Sequence, residues 1–187
     1  DAGTYPGEPG SGVGASFAGD SIFVAGSDAD TLTVNQRPIT VTAVTDTKVY
    51  DGTSNSTGVP SITLGNLAGS DTALWTQSFD TKNAGTNKTL TPTGTVSDGN
   101  AGNNYSITFQ SISTGVITQK NLTVSGVTAS DKTYDGTTAA TLDTSAAALV
   151  GIVSPDVVTL TVTGATGSFV DKNVGTNKTV SASGLTL

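Results

Sequence analysis

The residues KVYDGT at Lys48–Thr53 return as KTYDGT at Lys132–Thr137, and NAGTNKT at Asn83–Thr89 returns as NVGTNKT at Asn173–Thr179. The first pair is displaced by 84 residues and the second by 90. Two motifs recurring in the same order define a tandem array of one unit, roughly 80 to 90 residues long. Such an array builds length or multiplies a weak contact; it is not the usual way to assemble a single active site.

Between the motifs the pattern is that of strands. Ile39-Thr-Val41-Thr-Ala43-Val44 aligns with Leu122-Thr-Val124-Ser-Gly126-Val127, apolar residues alternating with hydroxylated ones as in a half-buried strand. Ser61–Leu64, Lys88–Thr91, Tyr105–Phe109, Val157–Val162 and Lys178–Ser183 alternate likewise, and Val116-Ile117 leads out of the first unit. Asp51-Gly52, Asp98-Gly99, Asp135-Gly136 and Gly164 supply turns between them. Only Thr144–Val150 has a helical composition, and it is too short to change the class. The expected fold is all-β: tandem small β-sandwich (Ig-like) domains, with a β-grasp-like sheet as the alternative.

Three segments follow. Residues 37–119 form a complete repeat, and 120–187 a second repeat that stops before its last strands. Residues 1–36 read as the C-terminal part of a preceding repeat with a Gly/Ser-rich insertion at Pro6–Ala18. Asp1–Tyr5 resembles the corner at Asn100–Tyr105, and Asp30–Arg37 aligns with Ser113–Lys120. The natural protein is expected to continue in both directions.

Composition narrows the chemistry. The net charge is −7, with only eight Lys and Arg spread over 187 residues, so neither nucleic acid nor an anionic membrane is an expected partner. No apolar run is long enough to span a bilayer as a helix. With no Cys and no His, thiolate sites and the commonest general base are missing, and a single Glu (Glu8) leaves only Asp for carboxylate chemistry. Catalysis is not expected, and no catalytic, cofactor-binding or metal residues are assigned. Calcium is the one cation with candidate oxygens, at Asp28-Ala-Asp30 and Asp98-Gly-Asn100, but neither cluster is shared between repeats, and solvated turns are the expected reading.

The repeated Tyr50-Asp51-Gly52 and Tyr134-Asp135-Gly136 read as structural turns. Asp caps through its carboxylate, Gly takes the positive φ, and Tyr packs its ring while its hydroxyl reaches backbone. Tyr105, following Asn100-Ala-Gly-Asn-Asn, resembles a tyrosine corner that pins a loop. A Lys–Asn isopeptide from Lys48 or Lys132 would need a buried acid beside the pair. The Asn-X-Ser/Thr triplets at Asn55, Asn87, Asn104, Asn121 and Asn177 arise readily in so Thr-rich a chain. Trp75, the single Trp, reads as core filler, with stacking on a sugar ring as its possible ligand-contact role.

The succession K-X-Y-D-G-T, V-X-L-X-V-X-G and F-X-D-K-N-V-G-T-N-K-T-V, best developed at Lys132–Thr137, Val157–Gly164 and Phe169–Val180, resembles the YDG-type repeat of large filamentous-haemagglutinin-like surface adhesins of Gram-negative bacteria. The first repeat departs from it at Ser70–Trp75. The resemblance implies an extracellular stalk or presentation module at the bacterial surface, with neighbouring repeats as its partners and a glycan or host or matrix surface as a further one. It supplies no catalytic residues. A carbohydrate-binding module acting through multivalent weak contacts is the alternative. A third expectation is that Asp1–Arg37 of one molecule completes the unfinished repeat of another, by strand complementation into fibres.

Overall fold

Period-two burial is what the chain turns into sheet. The computed structural model describes residues 33–187, and before them the backbone of three antiparallel strands, β1 (Gly3–Tyr5), β2 (Val13–Phe17) and β3 (Gly26–Asp30), in the order β1-β2-β3. The corner-like reading of Asp1–Tyr5 and the Asp28/Asp30 cation reading concern side chains outside the described residues.

Seven strands follow up to residue 118: β4 (Arg37–Thr42), β5 (Thr47–Val49), β6 (Ser61–Leu64), β7 (Thr72–Phe79), β8 (Gly85–Ser97), β9 (Tyr105–Gln110) and β10 (Ile112–Thr118). They form two sheets, ordered β6-β4-β9 and β5-β10-β8-β7. Beyond them lie β11 (Thr123–Ser125), β12 (Thr128–Ala129), β13 (Ala139–Ala140), β14 (Leu142–Asp143), β15 (Ala148–Val150), β16 (Thr166–Phe169) and β17 (Val180–Ser183). These pair as β11-β15, β12-β14 and β13-β16-β17, all antiparallel. No helix occurs among the described residues, and the fold is all-β and sandwich-like.

Two stretches differ from expectation. Thr144–Val150 forms a turn at Ser145-Ala146 and then β15, whose Ala148, Leu149 and Val150 pair with β11. Val157–Val162 alternates in sequence, yet among the described residues it makes only the isolated bridge Thr161–Thr186.

The chain falls into two compact units. One comprises Asp1–Val41, Ile62–Leu74 and Gly94–Thr108. In it Ile39 and Val41 of β4, Val96 of β8 and Tyr105 of β9 are buried. The Tyr105 hydroxyl accepts from the Ala68 N–H at 2.7 Å and donates to Asp71 Oδ2 at 2.6 Å, pinning the loop before β7 as a tyrosine corner does.

The other unit comprises Thr42–Ser61, Trp75–Thr93 and Phe109–Leu187. Ala43, Phe79, Leu90 and Ile117 form its buried cluster, with Tyr50 and Ile112 packed against it. Strand β10 is central: it pairs parallel with β5 on one side and antiparallel with β8 on the other. The β8 ladder is irregular at Asn87, a non-glycine residue with φ of 54°, where an extra residue bulges. Gly115 lets β10 approach this closely, since a Cβ there would lie 2.9 Å from the Phe79 ring and 2.9 Å from the Lys88 carbonyl oxygen.

Gln77 of β7 is buried among the apolar residues and works as a surrogate backbone. Its Oε1 accepts from the Val44 N–H at 2.8 Å, and its Nε2 donates to the Val44 carbonyl at 2.8 Å and to Ser56 Oγ at 2.9 Å. Gln77→Leu keeps the volume but strips Val44 of both partners. We expect it to cost about 1–3 kcal/mol in a chemical denaturation curve, and an unchanged midpoint would show that the Val44 backbone is satisfied some other way.

Candidate functional site

The repeated motifs converge on two lysine-centred turns in each copy. In the first, Lys48 Nζ donates to Asp51 Oδ1 (2.8 Å), the Thr53 carbonyl (2.9 Å) and Thr53 Oγ1 (3.0 Å), and stands over the Phe79 ring at 5.6 Å. Asp51 Oδ1 also accepts from the Thr53 N–H and hydroxyl, both at 2.9 Å, and Gly52 completes the turn at φ 81°. The second copy repeats this almost bond for bond. Lys132 Nζ reaches Asp135 Oδ1 (2.8 Å), the Thr137 carbonyl (2.8 Å) and Thr137 Oγ1 (3.1 Å), over Phe169 at 5.7 Å. Tyr-Asp-Gly is therefore a turn with a cation at its centre. Neither ammonium faces an Asn, so the isopeptide reading finds no partner at Lys48 or Lys132.

The second turn belongs to the Asn-X-Gly-Thr-Asn-Lys-Thr motif. Buried Lys88 pairs with Asp80 Oδ1 at 2.8 Å and donates to Thr81 Oγ1 at 2.6 Å. Its counterpart Lys178 pairs with Asp171 Oδ1 and donates to the Asn173 carbonyl at 2.7 Å. Asn87 and Asn177 both sit in the left-handed region, at φ 54° and 53°. Asn is the non-glycine residue that tolerates this best.

Where the two copies differ is at their tyrosines. The Tyr50 hydroxyl does not reach backbone as expected; it donates to Asp156 Oδ2 at 2.5 Å, 106 residues along the chain. Lys82 Nζ donates to Asp156 Oδ1 at 3.2 Å and lies 5.9 Å from the Tyr50 ring centre. The Tyr50 hydrogen bond chiefly lowers the Asp156 pKa, partial desolvation opposes it, and Lys82 adds to the lowering. The Tyr50 hydroxyl and Asp156 together raise that of Lys82. Gly52 fits the same contact, for a Cβ there would lie 2.9 Å from Val153 Cγ1. All these residues belong to the second compact unit. Tyr134, by contrast, is 57% exposed and makes no hydrogen bond among the described residues.

Other candidates resolve locally. Trp75 is 9% exposed and stands edge-on to Phe109, ring centres 6.0 Å apart. Asp98 turns its carboxylate inward, accepting from the N–H groups of Asn100, Gly102 and Asn104 at 2.8, 2.8 and 3.1 Å. Desolvation is the largest influence on its pKa and raises it, but these N–H bonds together outweigh it and the net shift is downward. Sequence reasoning missed the structural lysines and Asp156. Lys48 and Lys132 had a signal, an Asp three residues on in both copies; Lys88 and Lys178 follow their Asp partners at different spacings, and Asp156 had no signal.

What these turns define is a class of protein, a tandem all-β repeat whose recurring residues build turns. The YDG domain family matches the chain at residues 35–114 and again at 118–187, and the chain belongs to that family. No curated protein and no solved structure matches it.

The Lys48 and Lys132 hydrogen bonds, aided by Thr53 and Thr137, hold Asp51 and Asp135 at about 2, against an ordinary 3.8. A carboxylate depressed on folding contributes stability that is present above its unfolded pKa and lost as pH falls through the folded one. Denaturation midpoints should therefore drop between about pH 4 and pH 2, and less so in the Asp51→Asn, Asp135→Asn double variant. A double variant as acid-sensitive as the parent would place that sensitivity elsewhere.

Proposed function

We propose that this chain is a structural module of a secreted or surface-anchored bacterial adhesin, one length of a stalk in which YDG repeats follow each other almost without linker. A stalk has to transmit position and force, and it does so only if successive repeats are held at a fixed angle. The observation that carries this reading is the grip of Tyr50 and Lys82, from the first matched segment, on Asp156 of the second. A hydroxyl and an ammonium on the two oxygens of one carboxylate fix direction as well as distance. Only four residues, Gln119–Leu122, separate β10 from β11, which leaves little slack beside that grip.

The acidic, weakly charged composition supports an extracellular setting, where net repulsion keeps long molecules apart. The carbohydrate-binding alternative has less in its favour, since Trp75 is packed against Phe109 and has no aromatic counterpart in the second repeat.

Small-angle scattering tests the stalk. The parent chain should give a narrow distance distribution typical of one body, and Asp156→Ala should broaden it while leaving the strand content seen by circular dichroism unchanged. A parent distribution as broad as that of the variant would sink the reading, because repeats that tumble independently transmit neither position nor force.

A further inference from the structure

In the second compact unit, the segment by which the chain enters and the strand that closes the first repeat run side by side in the same direction. Residues 43–50 lie along 110–118. The Ala43 N–H donates to the Gln110 carbonyl at 3.0 Å, the Thr45 and Thr114 hydroxyls share a hydrogen bond at 2.7 Å, and the Val116 N–H donates to the Asp46 carbonyl at 3.0 Å. The ladder continues as Thr47–Val116, Lys48–Ile117 and Val49–Thr118. It ends where the Tyr50 N–H donates to the Thr118 carbonyl at 2.9 Å and the Thr118 hydroxyl to the Lys48 carbonyl at 3.3 Å. This pairing is parallel, whereas every other ladder of defined register among the described residues is antiparallel.

The entering segment is also held independently of β10. Val44 gives both its N–H and its carbonyl to Gln77. The Asp46 carboxylate accepts from the Ser56 hydroxyl at 2.6 Å and from the N–H groups of Thr47 and Thr57 at 2.8 and 2.9 Å. Asp46 lies outside the repeated motifs, and Ser130 stands at its place in the second repeat. Lys48 is fixed in turn by Asp51 and Thr53. On its other side β10 pairs with β8. Water, which competes for any exposed backbone hydrogen bond, is kept from the pair by buried Ala43 and Ile117.

We infer that this parallel pair is a force-bearing clamp, the element through which the first repeat resists being pulled open along the chain. The inference deepens the stalk reading and rests on it for the load. The chain comes in at the Ala43–Gln110 end of the pair and goes out at the Tyr50–Thr118 end. Tension along the chain therefore slides one segment past the other. The hydrogen bonds of a parallel pair are evenly spaced along it. Loaded lengthwise they share the tension and fail together, whereas a pair pulled apart from one end opens one bond at a time. Sliding also drags the Ile117 side chain out of its cluster with Ala43, Phe79 and Leu90. Because resistance to force is set by the rate of unfolding and not by equilibrium stability, a small core suffices if the load meets this pair. Tyr50, which ends the pair, is also the residue whose hydroxyl grips Asp156, so the clamp adjoins the joint.

Single-molecule pulling on the whole 187-residue chain tests the clamp. The chain has no cysteine, so an introduced pair of cysteines places the handles. Asn35→Cys with Gln119→Cys loads the parallel pair lengthwise, whereas Asn35→Cys with Ser111→Cys loads it from one end; all three positions are exposed. The route in through β4 is common to both, so a difference between them reports the parallel pair. At one loading rate the lengthwise geometry should rupture at a force at least about twofold higher, since its bonds must fail together before the repeat unfolds. Denaturation midpoints of the same two variants separate the direction of load from any loss of stability. Equal rupture forces, or a higher force for the Asn35/Ser111 pair, would overturn the proposal. Either result leaves the stalk standing if scattering still shows the parent as one body. A broad parent distribution removes the stalk whatever force the clamp withstands.

Discussion

A lysine ammonium withdrawn from water organises each repeat. Lys48 and Lys132 are held under a phenylalanine ring with an aspartate, a carbonyl and a hydroxyl as their oxygens. A partly desolvated cation is tolerated only when those oxygens are all in place. That requirement fixes an aspartate three residues on and a carbonyl five residues on, and a chain can close so tightly only with the positive φ of glycine between them. Lys88 and Lys178 impose the same discipline on the opposite wall, where Asp80 and Asp171 answer them. An ion pair thus stands on each side of the slot in which β10 lies.

Much of this was legible in the sequence because it is local. Period two marked β4, β6 and β9, and Asp-Gly marked the turns. Tyr105 could be given its role because a glycine-rich corner precedes it. Strand β7 was not visible, since its inward residues are Trp75, Gln77 and Phe79, and a buried glutamine breaks the apolar alternation that would announce it. The lysine pairings are not legible for a general reason: lysine is a surface residue unless something pairs with it, and the pairing partner is evident only in three dimensions. Tyr50 defeats sequence reading more completely. It shares its motif with Tyr134, yet its partner Asp156 lies in another repeat, and nothing near Tyr50 reports that distance.

The candidate site has the same two layers. Its turn geometry is written within six residues and appears in both copies. Its apolar filling is written far away: Ile117 comes to rest opposite Lys48, almost seventy residues back in the chain. The second repeat separates the layers cleanly. There the lysine turn is complete in every hydrogen bond while Phe169 and Val180 remain half open to solvent. Local hydrogen bonding specifies the turn, and in the first repeat β10 completes the burial between β5 and β8.

That division has a consequence for a serial molecule. The strand that closes one repeat runs within a few residues into the first strand of the next, so closure and jointing are the work of one segment. Displacing it would open a core and unseat a neighbour together, which ties each repeat's stability to the next in the manner of a one-dimensional array. The Tyr50–Asp156–Lys82 contact adds a second link, in which a turn of one repeat holds a loop of the following one. Bending at the joint then requires breaking oriented polar contacts and withdrawing apolar side chains at the same time.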